Sequence, residues 1–246
     1  MHKGFEPLLP GFRTVPFGDV AALEAALTDN TCAFLIEPVQ GESGVRVPLP
    51  GYLPAAEQLC RESGILMVVD EIQTGLGRTG SFLASEQFGI TPDIVTLAKG
   101  LANGLPLGAV VANDEVAASF GPGTHGATFG GNPVCCAASR VVLETLRTPG
   151  FLEEVRRKGD LFAEGLRKLA SRREDIREVR GMGLMLAIEM NGETRELANR
   201  CLERGLVVNS TAGNVLRFLP PLTVTDGEIR QALSILEGSL PWGGAK

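Results

Sequence analysis

Ile65-Leu66-Met67-Val68-Val69-Asp70-Glu71-Ile72-Gln73-Thr74-Gly75-Leu76-Gly77-Arg78-Thr79-Gly80 is an apolar run that delivers a carboxylate, Asp70, into a glycine-punctuated turn. A second run, Asp93-Ile94-Val95-Thr96-Leu97-Ala98, delivers a lysine, Lys99, into the glycine-rich segment 100–108. Short aliphatic runs bounded by Gly and Pro read as interior parallel strands buried on both faces, although periodicity alone also fits buried helix. In open α/β sheets ligands sit beyond the carboxyl ends of the strands. Asp70 and Lys99 are therefore the first site candidates.

Outward from this pair the pattern is β–α–β. Residues 32–36 predict a strand that ends in the polar turn Glu37-Pro38-Val39-Gln40-Gly41-Glu42-Ser43-Gly44. Residues 54–62 predict a helix returning to the strand at 65–69, a right-handed parallel crossover. Before it, residues 1–18 hold three prolines and three glycines with no usable period, and Asp19 can cap a short helix through Leu27. Beyond Asp70, residues 81–88 predict a short helix and residues 109–112 another strand. The stretch 121–133 is a glycine-rich loop, suited to mobility or to close backbone approach. Helices are expected over 133–146 and 151–170. The domain boundary falls near Thr148-Pro149-Gly150, giving domains 1–148 and 149–246. The second should be a smaller α+β unit with strand material at 179–189, a helix at 194–204, strands at 206–208 and 215–218, and a capped helix from Asp226. The Gly243-Gly244-Ala245-Lys246 tail should fray. The expected class is doubly wound α/β.

Composition narrows the function classes. The chain has 246 residues, 44% hydrophobic and 21% charged, with a net charge of -6 and no basic cluster, which argues against nucleic acid. No apolar run approaches the ~18 residues of a membrane span, and the N-terminus lacks a signal-peptide core, so a cytoplasmic protein without membrane partners is expected. The five cysteines, Cys32, Cys60, Cys135, Cys136 and Cys201, show no C-x-x-C spacing and read as reduced packing residues. With only His2 and His125, metal binding is not expected.

Asp70-Glu71 after an aliphatic run superficially matches a nucleotide hydrolase, but no G-x-x-x-x-G-K-[ST] loop exists in the chain. Taken alone, Asp70 would more often be a capping or salt-bridge carboxylate, and Lys99 is equally unspecific. Together with the amide of Gln73 they match the needs of pyridoxal 5'-phosphate: a lysine for covalent attachment, a carboxylate on the ring nitrogen and a donor to the ring hydroxyl. A carboxylate about 4 Å from a pyridinium stabilises it by about 4 kcal/mol at an effective dielectric of about 20, roughly three pKa units. Burial of Lys99 is expected to favour its neutral, nucleophilic amine.

Four segments make the reading specific: Glu37-Pro38-Val39-Gln40-Gly41-Glu42, Val69 through Gly80, Pro92 through Gly100, and Thr128-Phe129-Gly130-Gly131-Asn132-Pro133. In this order they resemble the class III (ornithine-type) aminotransferases over nearly the whole chain. The resemblance implies a fold-type I α/β architecture, the first domain being the C-terminal part of the large cofactor-binding domain. It implies Lys99 as the catalytic lysine, Asp70 on the pyridine nitrogen, Gln73 near the ring hydroxyl, and Thr128 at the cofactor phosphate of the partner subunit in a homodimer. It also implies that Arg217 grips the substrate α-carboxylate and that Glu42 masks Arg217 in one half-reaction. Without the family, Arg217 is a strand-end arginine, Glu42 a loop carboxylate, and Arg78 a tie for its glycine turn. Ser43 stands where relatives often carry a smaller residue.

The implied reaction moves an amino group from N-acetylornithine to 2-oxoglutarate in arginine biosynthesis, the substrates being an amino acid and a 2-oxo acid. Ornithine, succinylornithine and 4-aminobutyrate are sibling donors, and a non-catalytic fragment or assembly partner is a different reading. The family chain is longer at its amino end. The phosphate-holding helix N-terminus and the ring-stacking aromatic are therefore expected to be missing here, with apolar faces left exposed and little activity from this chain alone.

Overall fold

The computed structural model describes residues 4–240, so the expected fraying of 243–246 lies outside the described residues. The first sheet has the order β1(Ala33–Ile36), β2(Leu66–Asp70), β3(Ile94–Leu97), β4(Ala109–Ala112). β1, β2 and β3 run parallel and β4 closes the sheet antiparallel. α1(Val20–Ala26) begins where expected, its N-cap Asp19 accepting from the Ala22 amide. α2(Tyr52–Glu62) makes the β1–β2 crossover and buries Tyr52, Leu53 and Cys60 in one cluster with Met67 and Val69. The helix expected over 81–88 shrinks to α3(Ala84–Phe88), because Phe82 turns back and its carbonyl accepts from Leu76 N at 2.7 Å.

β2 and β3 are not buried on both faces as expected. Their residues alternate: Met67, Val69, Val95 and Leu97 are buried, while Leu66, Val68, Asp70, Ile94 and Thr96 are half-buried. The second set lines up through the parallel register with Leu35, 60% exposed, and continues to Val110, 68% exposed. No described element covers this face fully, and the alternation of side chains turns that into a half-exposed apolar surface. Asp70 and Thr96 stand at its carboxyl end. The exposed apolar faces expected from the sequence are therefore present.

After α4(Asp114–Ala117) and an exposed loop, α5(Pro133–Leu146) starts on Asn132, whose side chain accepts from Val134 N and Cys135 N. α6(Phe151–Ala170), α7(Arg195–Glu203) and α8(Asp226–Ser239) pack on one face of a second sheet. That sheet has the order β5(Ile176–Met182), β6(Met185–Met190), β8(Val215–Phe218), β7(Asn209–Thr211), all antiparallel. β7 replaces the strand expected at 206–208. Leu206 and Val208 pack into the helix-side core and Val207 points out, but ladder pairing begins only at Asn209. α8 carries a full capping box between Thr225 and Glu228.

Alternation on β8 decides the location of Arg217. Leu216 and Phe218 enter the core beneath the helices, whereas Val215 enters a small cluster with Met185, Ala187, Val39 and Val45. Arg217 shares the face of Val215 and so looks toward the loop that follows β1. Arg78 ties the same junction: its Nη1 donates to the carbonyls of Leu184, at 3.3 Å, and Pro220, and the Leu184 amide donates to the Arg78 carbonyl at 3.0 Å. Burial pushes its guanidinium down to about 10, so it stays charged at neutral pH. All five cysteines are free, and burial pushes the Cys60 thiol up to about 11.

Candidate active site

The site has two halves. In the first, β2 and β3 end side by side with Asp70 in register with Thr96. Asp70 Oδ1 accepts from Ile72 N at 2.9 Å and from Thr96 Oγ1 at 3.1 Å. Its Oδ2 takes no hydrogen bond from any described residue. The carboxylate is thus aimed by one oxygen and open at the other. The adjacent Glu71 does structural work: it is buried, accepts from Ser85 N at 2.7 Å and from Thr74 Oγ1, and pins the turn to α3.

Lys99 lies three residues beyond Thr96 and opens a single 3-10 turn, Lys99–Ala102. Its backbone is left-handed at φ +49°, a conformation uncommon for lysine and frequent at functional positions. Its ammonium meets no acceptor among the described residues. Lys99 is exposed, contrary to the expectation of burial, because the half-open sheet face leaves its surroundings wet.

The second half is fully wired. Arg217 is 7% exposed and its Nη2 donates to Glu42 Oε1 at 3.0 Å and to Asn209 Oδ1 at 3.0 Å, while Nη1 donates to Gln73 Oε1 at 3.1 Å. Gln73 Nε2 donates to the same Glu42 oxygen at 3.4 Å. Arg217 Nε is buried and meets no partner among the described residues. Gln73 is held by close packing: a Cβ on Gly41 would fall 2.3–2.7 Å from its carboxamide atoms, so position 41 admits no side chain without displacing it. In this arrangement Gln73 is engaged with Arg217 and Glu42, an assignment the sequence reading did not contain.

Of the six residues singled out from sequence, the structure therefore joins Glu42, Gln73 and Arg217 directly and sets Asp70 and Lys99 on neighbouring strand ends. Thr128 is not brought in; it lies in an exposed loop without a side-chain hydrogen bond among the described residues. Asn209 was missed. Its only signal is positional, since it pairs across the ladder with Arg217, and that pairing requires the β7 register.

Residues 1–240 match the model of the class III aminotransferase family, and the chain belongs to that family. Its fold is the fold-type I architecture of those enzymes. Acetylornithine aminotransferase of Caldanaerobacter subterraneus subsp. tengcongensis is 48% identical over 97% of this chain and 61% of its own length. Ornithine aminotransferase of Bordetella pertussis is 47% identical over 95% of this chain and 57% of its own length. The crystal structure of ornithine aminotransferase from Toxoplasma gondii superposes with a TM-score of 0.92 at 42% identity, covering 97% of this chain and 58% of that one. The chain thus spans about 60% of the length of the curated relatives it matches. No described helix is long and apolar enough to cross a membrane.

Proposed function

We propose that this chain carries the lysine, ring-nitrogen and carboxylate-binding residues of a pyridoxal-phosphate-dependent aminotransferase that moves an amino group from N-acetylornithine to 2-oxoglutarate. The observation that carries the reading is the pairing of two half-sites: an aimed carboxylate with one oxygen open beside a lysine without a partner, both among the described residues, and a buried arginine covered by an exposed carboxylate. The donor set fits the cofactor, since among the described residues Asp70 Oδ2 is an acceptor without a donor and Lys99 presents an amine that meets no acceptor.

Pyridoxal phosphate, when bound, supplies an aldehyde for the amino group and a ring that accepts the electrons released when the α-proton leaves. Asp70 would hold the ring-nitrogen proton, and Thr96 and Ile72 keep its carboxylate from rotating. Lys99 would provide the attaching amine and, once displaced by substrate, move the α-proton. Arg217 would hold the α-carboxylate in a planar two-point grip. Glu42 would cover Arg217 when the substrate presents no second carboxylate there. Gln73 would keep Oε1 on Arg217 while offering Nε2 to the ring hydroxyl.

By the same reading residues 1–148 form the C-terminal part of the large domain and 149–246 the small domain. Thr128 would serve the cofactor phosphate across a homodimer interface, and the protein would be cytoplasmic. Ornithine is the competing donor, because the ornithine aminotransferase above is nearly as similar as the acetylornithine enzyme. The test is glutamate formation from 2-oxoglutarate and excess cofactor with each donor, using the chain alone and the chain supplemented with the N-terminal part of a relative. Turnover favouring N-acetylornithine over ornithine supports the reading. Preference for ornithine selects the sibling, and no amino transfer in either format overturns it.

A further inference from the structure

Glu42 sits on a tight loop that folds on itself, Gly44 N and Val45 N donating to the Gly41 carbonyl at 3.3 and 3.4 Å and Arg46 Nε to the Ser43 carbonyl at 3.2 Å, but none of these bonds reaches Arg217. Gln40 and Arg46 pair as an antiparallel bridge, at 3.1 and 3.0 Å, and close the loop's base. Gly41 N donates to Glu37 Oε2 at 3.0 Å. At the far side Val45 is wholly buried in a left-handed conformation, φ +54°, unfavourable for a β-branched residue and sustained by its packing against Val39, Met185, Ala187 and Val215. Between these anchors the tip carries Glu42, whose side chain is 56% exposed.

Among the described residues two side chains of the second sheet reach the backbone of this tip. Thr211 Oγ1 donates to the Glu42 carbonyl. Arg180 Nε donates to the Gly44 carbonyl at 2.9 Å, while its Nη1 is held by Glu178 and Glu189 at 2.6 and 2.7 Å. Gly44, at φ +96°, lets the chain press onto Arg180 and Val215, where a Cβ would come within 3.0–3.2 Å. Thr211 lies two residues from Asn209 on β7, so both side chains project from the same face of one short strand. One holds the backbone of Glu42 and the other holds Arg217.

We infer that Thr211, backed by Arg180, is a positioning residue that keeps Glu42 over Arg217 and thereby sets how readily an incoming carboxylate takes its place. This rests on the reading of Arg217 as the α-carboxylate site. The physics is that of a tethered competitor: a carboxylate on a well-anchored loop acts at a high effective concentration, and slackening the anchor lowers it. Arg217 is nearly buried and its other two partners, Gln73 and Asn209, are neutral, so the guanidinium draws an anion whenever Glu42 withdraws. Glu42 is exposed and loses little on leaving.

The experiment is a glutarate titration of the 246-residue chain, followed through the Arg217 Nε–H signal in nitrogen-15 NMR and assigned by its loss in Arg217→Leu. Thr211→Val should tighten glutarate by about three- to tenfold, the effect of one lost hydrogen bond. Thr211→Ser should behave as the parent, and Arg180→Lys should shift affinity in the same direction as Thr211→Val. In a Glu42→Ala background Thr211→Val should add nothing, because its effect passes through Glu42; a general loosening of the fold would act in both backgrounds. Unchanged affinity in both Thr211→Val and Arg180→Lys, or an effect that persists without Glu42, overturns the inference. A Glu42→Ala chain whose Arg217 signal ignores glutarate overturns the carboxylate reading itself, and the inference with it.

Discussion

The two half-sites are built in opposite ways. At the ends of β2 and β3, among the described residues, Asp70 has one oxygen engaged and one open, and Lys99 is exposed with no partner. At the end of β8, Arg217 is buried and three side chains from three separate segments converge on it. The first half is a carboxylate and an amine on a half-covered sheet face. The second is a buried arginine with its hydrogen bonds made within the chain, assembled from the loop after β1, the turn after β2 and the β7–β8 ladder. The difference teaches that, under the proposed function, the carboxylate-binding half would be set by contacts within this chain, whereas the reactive half would take its environment from what it binds.

The largest effect should come from the reactive half. In a protein extended to the length of its relatives, Asp70→Asn should slow the amino-transfer half-reaction by about a hundred- to a thousandfold, the scale of a pyridinium that loses its counter-charge. Unfolding should be affected far less, since Asp70 is only half-buried and Ile72 and Thr96 can still bond the amide oxygen. Half-reaction rates by stopped-flow absorbance check this, and comparable rates would erase the distinction between the halves.

The recognition half should respond in affinity rather than in chemistry. Arg217→Leu should weaken glutarate binding by at least about tenfold, since charge-assisted bonds to a buried guanidinium are the strong ones. Isothermal titration measures it, and unchanged binding would remove Arg217 from the site. The frame joining the halves is next. Arg78→Met should lower stability by about 2–3 kcal/mol, as two hydrogen bonds from a half-buried charge to the Leu184 and Pro220 carbonyls are lost. Urea unfolding at neutral pH checks it.

The smallest effect is pH-dependent. Arg180 bonds Glu189 and holds its carboxyl below the usual range. A depressed folded pKa contributes stability above the unfolded value and loses it as pH falls through the folded one. Glu189→Gln should therefore cost about 1 kcal/mol at pH 7, and the gap to the parent should close as the pH drops below about 4. Denaturation midpoints across that range decide it.

What was legible in the sequence follows the same division. The ends of β2 and β3 were readable because buried aliphatic runs have sharp edges, and Asp70 and Lys99 mark them. Glu42, Gln73 and Arg217 are far apart in sequence; the roles of Glu42 and Arg217 come only through resemblance to a family, Gln73 is read as a partner of the cofactor ring, and nothing local announces that the three meet. Asn209 and Thr211 stayed hidden because β7 is a three-residue strand. Its neighbours Leu206 and Val208 are the more strand-like residues, yet they pack without pairing. The burial expected for Lys99 and for both faces of its sheet failed for one reason: an aliphatic run states that a surface is apolar, not that something covers it.

The central claim is that Lys99 is the amine that takes the cofactor. Supplying pyridoxal phosphate to the chain, reducing with borohydride and mapping the modified peptide by mass spectrometry tests it most directly. The account predicts a single stoichiometric label on Lys99, absent from Lys99→Ala. Labelling that persists unchanged in Lys99→Ala, or that falls mainly on other lysines, would contradict it.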